Sequence, residues 1–194
     1  KVPSPNDKIP AYIKRMGELS CEAISVTNNY KNISIVRPAN IYGPYDNFGD
    51  ESTVIASLIK KAYHDNNDIL EVWGDGSPIR DFIYSTDVAR GMMMAIEKGI
   101  NEPINLGSGG GVTIKDIAST IAGYANKEVE WDISKPMGDA KRIMNMERAS
   151  SYGFQCKTTL SEGIKHTIDW FRSATSNQVE RYNPFTEEEL IPRK

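Results

Sequence analysis

An α/β fold is predicted by three features of this 194-residue chain. Short β-branched or aromatic runs alternate with segments whose apolar residues recur at helical spacing, the pattern of strands and helices taking turns along a layered sheet. The run ISIVRP, residues 33–38, is β-branched and apolar and ends at Pro38, as a buried, parallel strand would. It is followed by ANIYGPYDNFGDES, residues 39–52, whose two Gly, one Pro and several Asp and Asn spell a long loop at that strand's carboxyl end.

The elements follow in order. Residues 1–10 are polar and Pro-rich and read as a loop. From about Tyr12 to Asn28 the apolar residues Met16, Leu19 and Ile24, with Cys21 or Ala23, mark a helix that Asn28 and Asn29 stop. TVIASLIKKAYHD (53–65) is an amphipathic helix with a basic last turn, which suits its dipole. ILEVWG (69–74) is a strand, DGSP (75–78) a turn and IRDFIY (79–84) a second strand. STDVARGMMMAIEKG (85–99) is a helix with Ser85, Thr86 or Asp87 at its N-cap, Gly99 at its end, and Met92, Met93 and Met94 as packing residues. EPINLGSG (102–109) is a strand and Gly-rich turn, and VTIKDIASTIAGYAN (112–126) a helix opened by Thr113, with Asp116 in place of the usual Glu of a capping box. EVEWDI (128–133) is a strand, SKPMGDAKRIMN (134–145) a loop passing into a short strand, and MERASSYGF (146–154) a short helix ending at Gly153. TTLSEGIKHTIDWFRSA (158–174) is the last helix, with Thr159 or Ser161 near its start, and residues 175–194 form a charged, loose tail.

Composition narrows the function. A net charge of −3, with no basic cluster, gives no footprint for nucleic acid. No apolar run reaches 18 residues, so no membrane span is expected. Cys21 and Cys156 lie far apart without metal spacing and read as reduced thiols of a cytoplasmic protein, and His64 and His166 are isolated. The opening KVPSPNDKIP has neither an initiator Met nor a signal-peptide pattern, and reads as an expression fragment, a cleavage product or a chain whose first part is absent.

One stretch raises a chemical question. In IPAYIKRMGEL, residues 9–19, Tyr12 and Lys14 are two apart, and the position four before Lys14 is Pro10. Residues four apart share a helix face. An ammonium beside a phenol favours the phenolate, which can then act as a base. The glycines of Gly107–Gly111 lead into a helix, but no long apolar strand precedes them and no acidic residue stands where a ribose would need one, so they make a weak dinucleotide fingerprint.

YIKRMGEL, IVRPANIYGPYDNF, VWGDGSPIRDFIYSTDVARGM, INLGSGGGVTIKDIA and TTLSEGIKHTIDWF occur in this order over about residues 11–171. Together they resemble the carboxyl-terminal part of the extended short-chain dehydrogenase/reductases that act on nucleotide sugars, the NAD-dependent epimerases and dehydratases. YGPYDNF, VWGDGSPIRDF and SKPMGDAKR look most like the GDP-fucose synthase branch. The resemblance implies an α/β chain that is the end of a Rossmann-type domain plus a small α/β substrate-binding domain over residues 1–174, ahead of the 175–194 tail. Most of the cofactor domain would then precede Lys1.

By the same resemblance, Lys14 is the family lysine that supports the base and holds the nicotinamide ribose of NAD or NADP. The backbone after Pro38, through Ala39, Asn40 and Ile41, meets the nicotinamide, and Asn40 also binds the substrate, unless it is a turn Asn holding its own backbone. Arg80 grips the nucleotide diphosphate, as a permanently charged fork can, unless it is a surface residue pairing with Asp81. Arg142 is a second phosphate candidate, with Lys141 as its substitute. Lys61 matches a basic position near the phosphates or is a solvated helix end, and Trp73 lines the nucleotide or sugar pocket or packs in the core. A homodimer through the helix beginning near Tyr12 is also implied.

Two departures qualify the activity. The family tyrosine falls on Pro10. Either residues are missing near Pro10, or the protein lacks the base and is a non-catalytic nucleotide-sugar-binding or scaffold module, or Tyr12 serves through a distorted helix start. The catalytic histidine of the GDP-fucose synthases falls on Thr53, next to Ser52 and Val54, and neither hydroxyl is an acid near neutral pH. Epimerisation at a single centre, dehydration or reduction therefore fits better than double epimerisation, unless Asp50 or Glu51 supplies the acid. Lacking the dinucleotide glycines, the chain alone is expected not to bind NAD tightly.

Overall fold

Parallel strand pairs need helical crossovers, and the alternation read from the sequence supplies them. The computed structural model describes residues 8–49, 52–65, 67–135 and 138–174. Helix α1 (Lys8–Thr27) leads to strands β1 (Val36–Pro38) and β2 (Asn40–Tyr42), helix α2 (Val54–His64) and strand β3 (Ile69–Trp73). Strands β4 (Ile79–Arg80) and β5 (Phe82–Tyr84) precede helix α3 (Ser85–Glu97). Then come β6 (Ile104–Leu106), β7 (Val112–Thr113), α4 (Ile114–Ala125), β8 (Glu128–Asp132), β9 (Lys141–Arg142), α5 (Glu147–Ser151) and α6 (Leu160–Ala174).

β1 pairs with β6, β2 with β5 and β3 with β8, all parallel. β4 lies between β7, antiparallel to it, and β9, parallel to it. The expected parallel strand at 33–38 is present as its last three residues, and the backbone ties begin one residue earlier, at the Ile35 carbonyl.

Several expectations change. IRDFIY is not one strand: β4 and β5 belong to different sheets, and the chain changes sheets at Asp81. Asn40–Tyr42, expected as loop, is a strand because its backbone finds a parallel partner in β5, a long-range pairing that local composition does not announce. The first helix begins at Lys8 rather than near Tyr12, since Pro10 sits in the first turn, where a missing N–H is tolerated. Helix α3 takes Tyr84 as N-cap without a side-chain bond, and Ser85, Thr86 and Asp87 fall inside its first turn. Met92 and Met93 are exposed, and only Met94 packs on the core.

Other local readings hold. Thr113 and Asp116 exchange both bonds of a capping box, and Thr159 and Glu162 make the same reciprocal pair at the start of α6. Gly99 and Gly153 adopt positive φ (59° and 88°) at the ends of their helices.

Two apolar clusters hold the elements together. In one, Ile55 and Ile59 of α2, Ile117 and Ile121 of α4 and Ile164 and Ile168 of α6 meet Leu70 of β3. In the other, Val88 and Ala95 of α3 close on Ile104 and Leu106 of β6 with Phe154. Each fully buried Ile contributes roughly 1.5–3 kcal/mol of transfer free energy. Helix α1 has no buried residue, and Ile9, Ile13, Met16 and Leu19 are exposed. A fork from Arg37 to Glu18, with both bonds at 2.6 Å, ties it to β1.

Among the described residues, no helix is long and apolar enough to cross a membrane, and no group of His, Cys, Asp and Glu could hold a metal ion.

Candidate functional site

The site is organised by a residue that the sequence suggested only as an alternative partner of Arg80. Asp81 is 1% exposed. Its carboxylate accepts the Ser108 N–H (2.9 Å), the Ser108 hydroxyl (2.7 Å) and the Met144 N–H (3.3 Å). Its own N–H donates to the Arg142 carbonyl (3.1 Å), and its carbonyl accepts both the Asn40 N–H (3.1 Å) and the Asn40 side-chain amide (2.8 Å). One residue thus joins the start of β2, the Gly-rich turn beyond β6 and the β9 strand. Gly107 is required by the same arrangement, because a Cβ there would collide with Asp81 Oδ2. A buried Asp next to an Arg is easily mistaken for its ion partner; the usable signal is the unbroken apolar run FIY after it, which leaves Asp81 at the boundary of a buried strand.

Arg80 does not pair with Asp81. It is half-buried, and its Nη1 donates to the Ile79 carbonyl (2.9 Å). Arg80 and Arg142 are register partners on the adjoining parallel strands β4 and β9. Partners in register project to the same side of a sheet, with strands about 4.8 Å apart. Two guanidiniums therefore share one side of this small sheet, which costs Coulomb energy unless an anion lies near both. Asp139 supplies one: Arg142 bonds its carboxylate through Nε (3.2 Å) and Nη2. That bond, followed by the charges of Arg142 and, after a small opposing effect of burial, Arg80, holds the Asp139 carboxyl below its ordinary range.

Trp73 is not a core residue. It is 57% exposed at the end of β3. The Lys61 ammonium lies 5.7 Å from its ring centroid and that of Lys135 lies 5.5 Å away. Lys61 also donates to the Glu71 carbonyl (3.2 Å). Lys135 was not singled out from the sequence, where it reads as one loop lysine among many; the turn held by Asp132 and Ser134 brings it to Trp73. Thr53 donates to Asp46 (3.1 Å), and Val54 is partly exposed at the start of α2. Asp50 and Glu51 lie outside the described residues, as do residues 1–7 and the 175–194 tail.

Helix α1 is continuous through Tyr12 and Lys14, so the two side chains leave the axis about 200° apart at 100° per residue. The residue on the Lys14 face one turn earlier is Pro10. Both Tyr12 and Lys14 are exposed. In the 38–41 stretch the Ala39 N–H donates to the Leu106 carbonyl (2.7 Å), and both donors of Asn40 named above end on Asp81. Ile41 is exposed.

These residues fit a dinucleotide at one end only. The turn after β6 passes into β7 before α4 begins, so its glycines do not stand at a helix N-terminus where a pyrophosphate would be cradled. Lys14 and the edge at Asn40 and Ile41, which the resemblance assigns to the nicotinamide riboside, are exposed.

Comparison with known proteins agrees with this architecture. The chain is 30% identical over 183 residues to a GDP-L-fucose synthase of Arabidopsis thaliana, a match covering 90% of this chain and 56% of the relative. Among solved structures it resembles a GDP-L-fucose synthetase from Naegleria fowleri bound to NADP, at 29% identity and a TM-score of 0.77, over 91% of this chain and 59% of that one. It also resembles a UDP-glucose 4-epimerase from Thermotoga maritima with UDP-glucose, at 29% identity and a TM-score of 0.73, over 84% of this chain and 52% of that one. The chain thus spans about half the length of the curated relatives it matches. The model of the NAD dependent epimerase/dehydratase family matches residues 9–107, half of the sequence, and the chain belongs to that family.

Proposed function

We propose that this chain is the substrate-gripping part of an NAD(P)-dependent nucleotide-sugar epimerase or reductase. The observation that carries the reading is the pairing in register of Arg80 with Arg142, two fixed positive charges on one side of the β4–β9 sheet. Guanidiniums so placed suit a diphosphate, which each can meet with two parallel bonds. Trp73, with Lys61 and Lys135 beside its ring, offers the nucleotide an aromatic surface under positive potential. Asn40 stands at the strand ends where open α/β sheets bind ligands, oriented by its bond to Asp81. Thr53 and Val54 border the sugar from the start of α2.

NAD or NADP supplies and takes back the hydride when bound. This chain's part is to hold the ribose with Lys14, to present the Pro38–Ile41 edge to the nicotinamide and to keep the sugar in place. A homodimer through the exposed apolar residues of α1 belongs to the same reading.

A second reading has its own observation. On the continuous helix α1 the Lys14 face carries Pro10 rather than an acid, and Tyr12 faces elsewhere. That favours a nucleotide-sugar-binding module without turnover. Calorimetric titration with GDP-, UDP- and dTDP-hexoses tests what the two readings share: binding that Arg80→Ala and Arg142→Ala each weaken at least about tenfold, the loss typical of a charge-assisted contact. Absence of binding to the whole panel would overturn both. Turnover of the bound sugar with added NAD(P) separates them, since only the enzyme converts it.

A further inference from the structure

The Arg80–Arg142 pair carries its own counter-ion. Asp139 is bonded to Arg142 through two guanidinium nitrogens, and the preceding Gly138 lies directly against Arg80, where a Cβ would stand 2.8 Å from Nη2. The dipeptide Gly138–Asp139 therefore touches both arginines, and its carboxylate takes a place that an anion would use. The pair is solvent-accessible, with side-chain exposures of 50% for Arg142 and 37% for Asp139. An ion pair this exposed is weak and readily exchanged.

Resting on the diphosphate reading of the two arginines, we infer that Asp139 is an internal competitor for that site: a diphosphate binds by displacing the Asp139 carboxylate from Arg142. Two costs then fall on the incoming ligand. The Arg142–Asp139 bonds are given up, and the displaced carboxylate remains a like charge beside the phosphates. Asp139 thereby sets how strongly the site holds anions, keeping the grip loose enough to release a nucleotide product.

The test is calorimetric titration of the full chain and its Asp139→Asn variant with GDP and with UDP, alongside Arg142→Ala. Asn keeps the size of the side chain and removes its charge. The variant is expected to bind both nucleotides about 3- to 10-fold more tightly, from the loss of an exposed ion pair and of like-charge repulsion, with an unchanged melting temperature. Equal or weaker binding by Asp139→Asn, while the parent chain binds and Arg142→Ala does not, would overturn the inference alone; Asp139 would then be orienting Arg142. Failure of the parent chain to bind either nucleotide, or parent binding that Arg142→Ala leaves intact, would sink the diphosphate reading and this inference with it.

Discussion

Replacing Asp81 by Ala removes an acceptor on which separate parts of the chain converge, and its cost follows from the bonds. The carboxylate accepts two N–H groups, of Ser108 and Met144, and one hydroxyl, of Ser108. The hydroxyl has an alternative, because Ser108 Oγ also lies 2.7 Å from the Gly110 carbonyl. The two N–H groups, on exposed Ser108 and half-buried Met144, lose their acceptor, and a donor left without one costs up to about 1–3 kcal/mol. Asp81→Ala is therefore expected to destabilise the fold by about 3–5 kcal/mol once the small cavity is included. Asp81→Asn keeps an oxygen for Ser108 but can turn an NH₂ toward the Met144 N–H, for a loss of about 1–3 kcal/mol. Urea unfolding followed by circular dichroism, compared at constant m-value, gives both numbers. A midpoint for Asp81→Ala within about 0.5 kcal/mol of the parent, the usual range of an ordinary surface change, or an Asn variant worse than Ala, would refute the account of Asp81 as the buried junction.

Gly107→Ala forces a methyl against the same pinned carboxylate and within 3.2 Å of Met146 Sδ, so a loss of about 1–3 kcal/mol is expected in the same unfolding assay. Ile121→Ala empties a fully buried position between the helices and should cost about 2–5 kcal/mol. The Arg37 bond, partly opposed by burial, lowers the Glu18 carboxyl below its ordinary value of 4.5. Because that folded value is depressed, the stabilisation is complete above the ordinary value and is lost as pH falls through the folded one. Carboxyl-carbon NMR should show the low Glu18 midpoint in the parent and its return to the ordinary range in Arg37→Gln. Fluorescence titration of the chain with NADH should show no tight binding, and a stoichiometric, saturable signal at micromolar cofactor would contradict the one-ended fit described above.

The fold was legible where information is local. Helical spacing marked α2, α4 and α6, Thr113 with Asp116 announced a capping box, and the apolar ISIVRP run signalled a parallel strand. What could not be read depends on partners remote in sequence. Asn40–Tyr42 becomes a strand only because β5, about forty residues away, aligns with it. IRDFIY looks like one strand because its composition is uniform, whereas its two halves find different neighbours. The side chains with chemistry divide the same way. Arg80 and Arg142 were named by motif, yet their register pairing needs the β4–β9 ladder. Lys135 and Asp139 were invisible because nothing local distinguishes a loop lysine or aspartate that meets a tryptophan or an arginine from one that meets water.

The change of sheets at Asp81 has a consequence for how this region opens. Hydrogen exchange reports openings, and amides that share one acceptor or one anchoring residue are released by the same event. The amides of Asn40, Asp81, Ser108 and Met144 come from four separate stretches, yet each is bonded to or from Asp81. They should exchange as one unit, with a common opening free energy, although more than one hundred residues separate the first from the last (40 to 144). These four stretches would then loosen together rather than one by one.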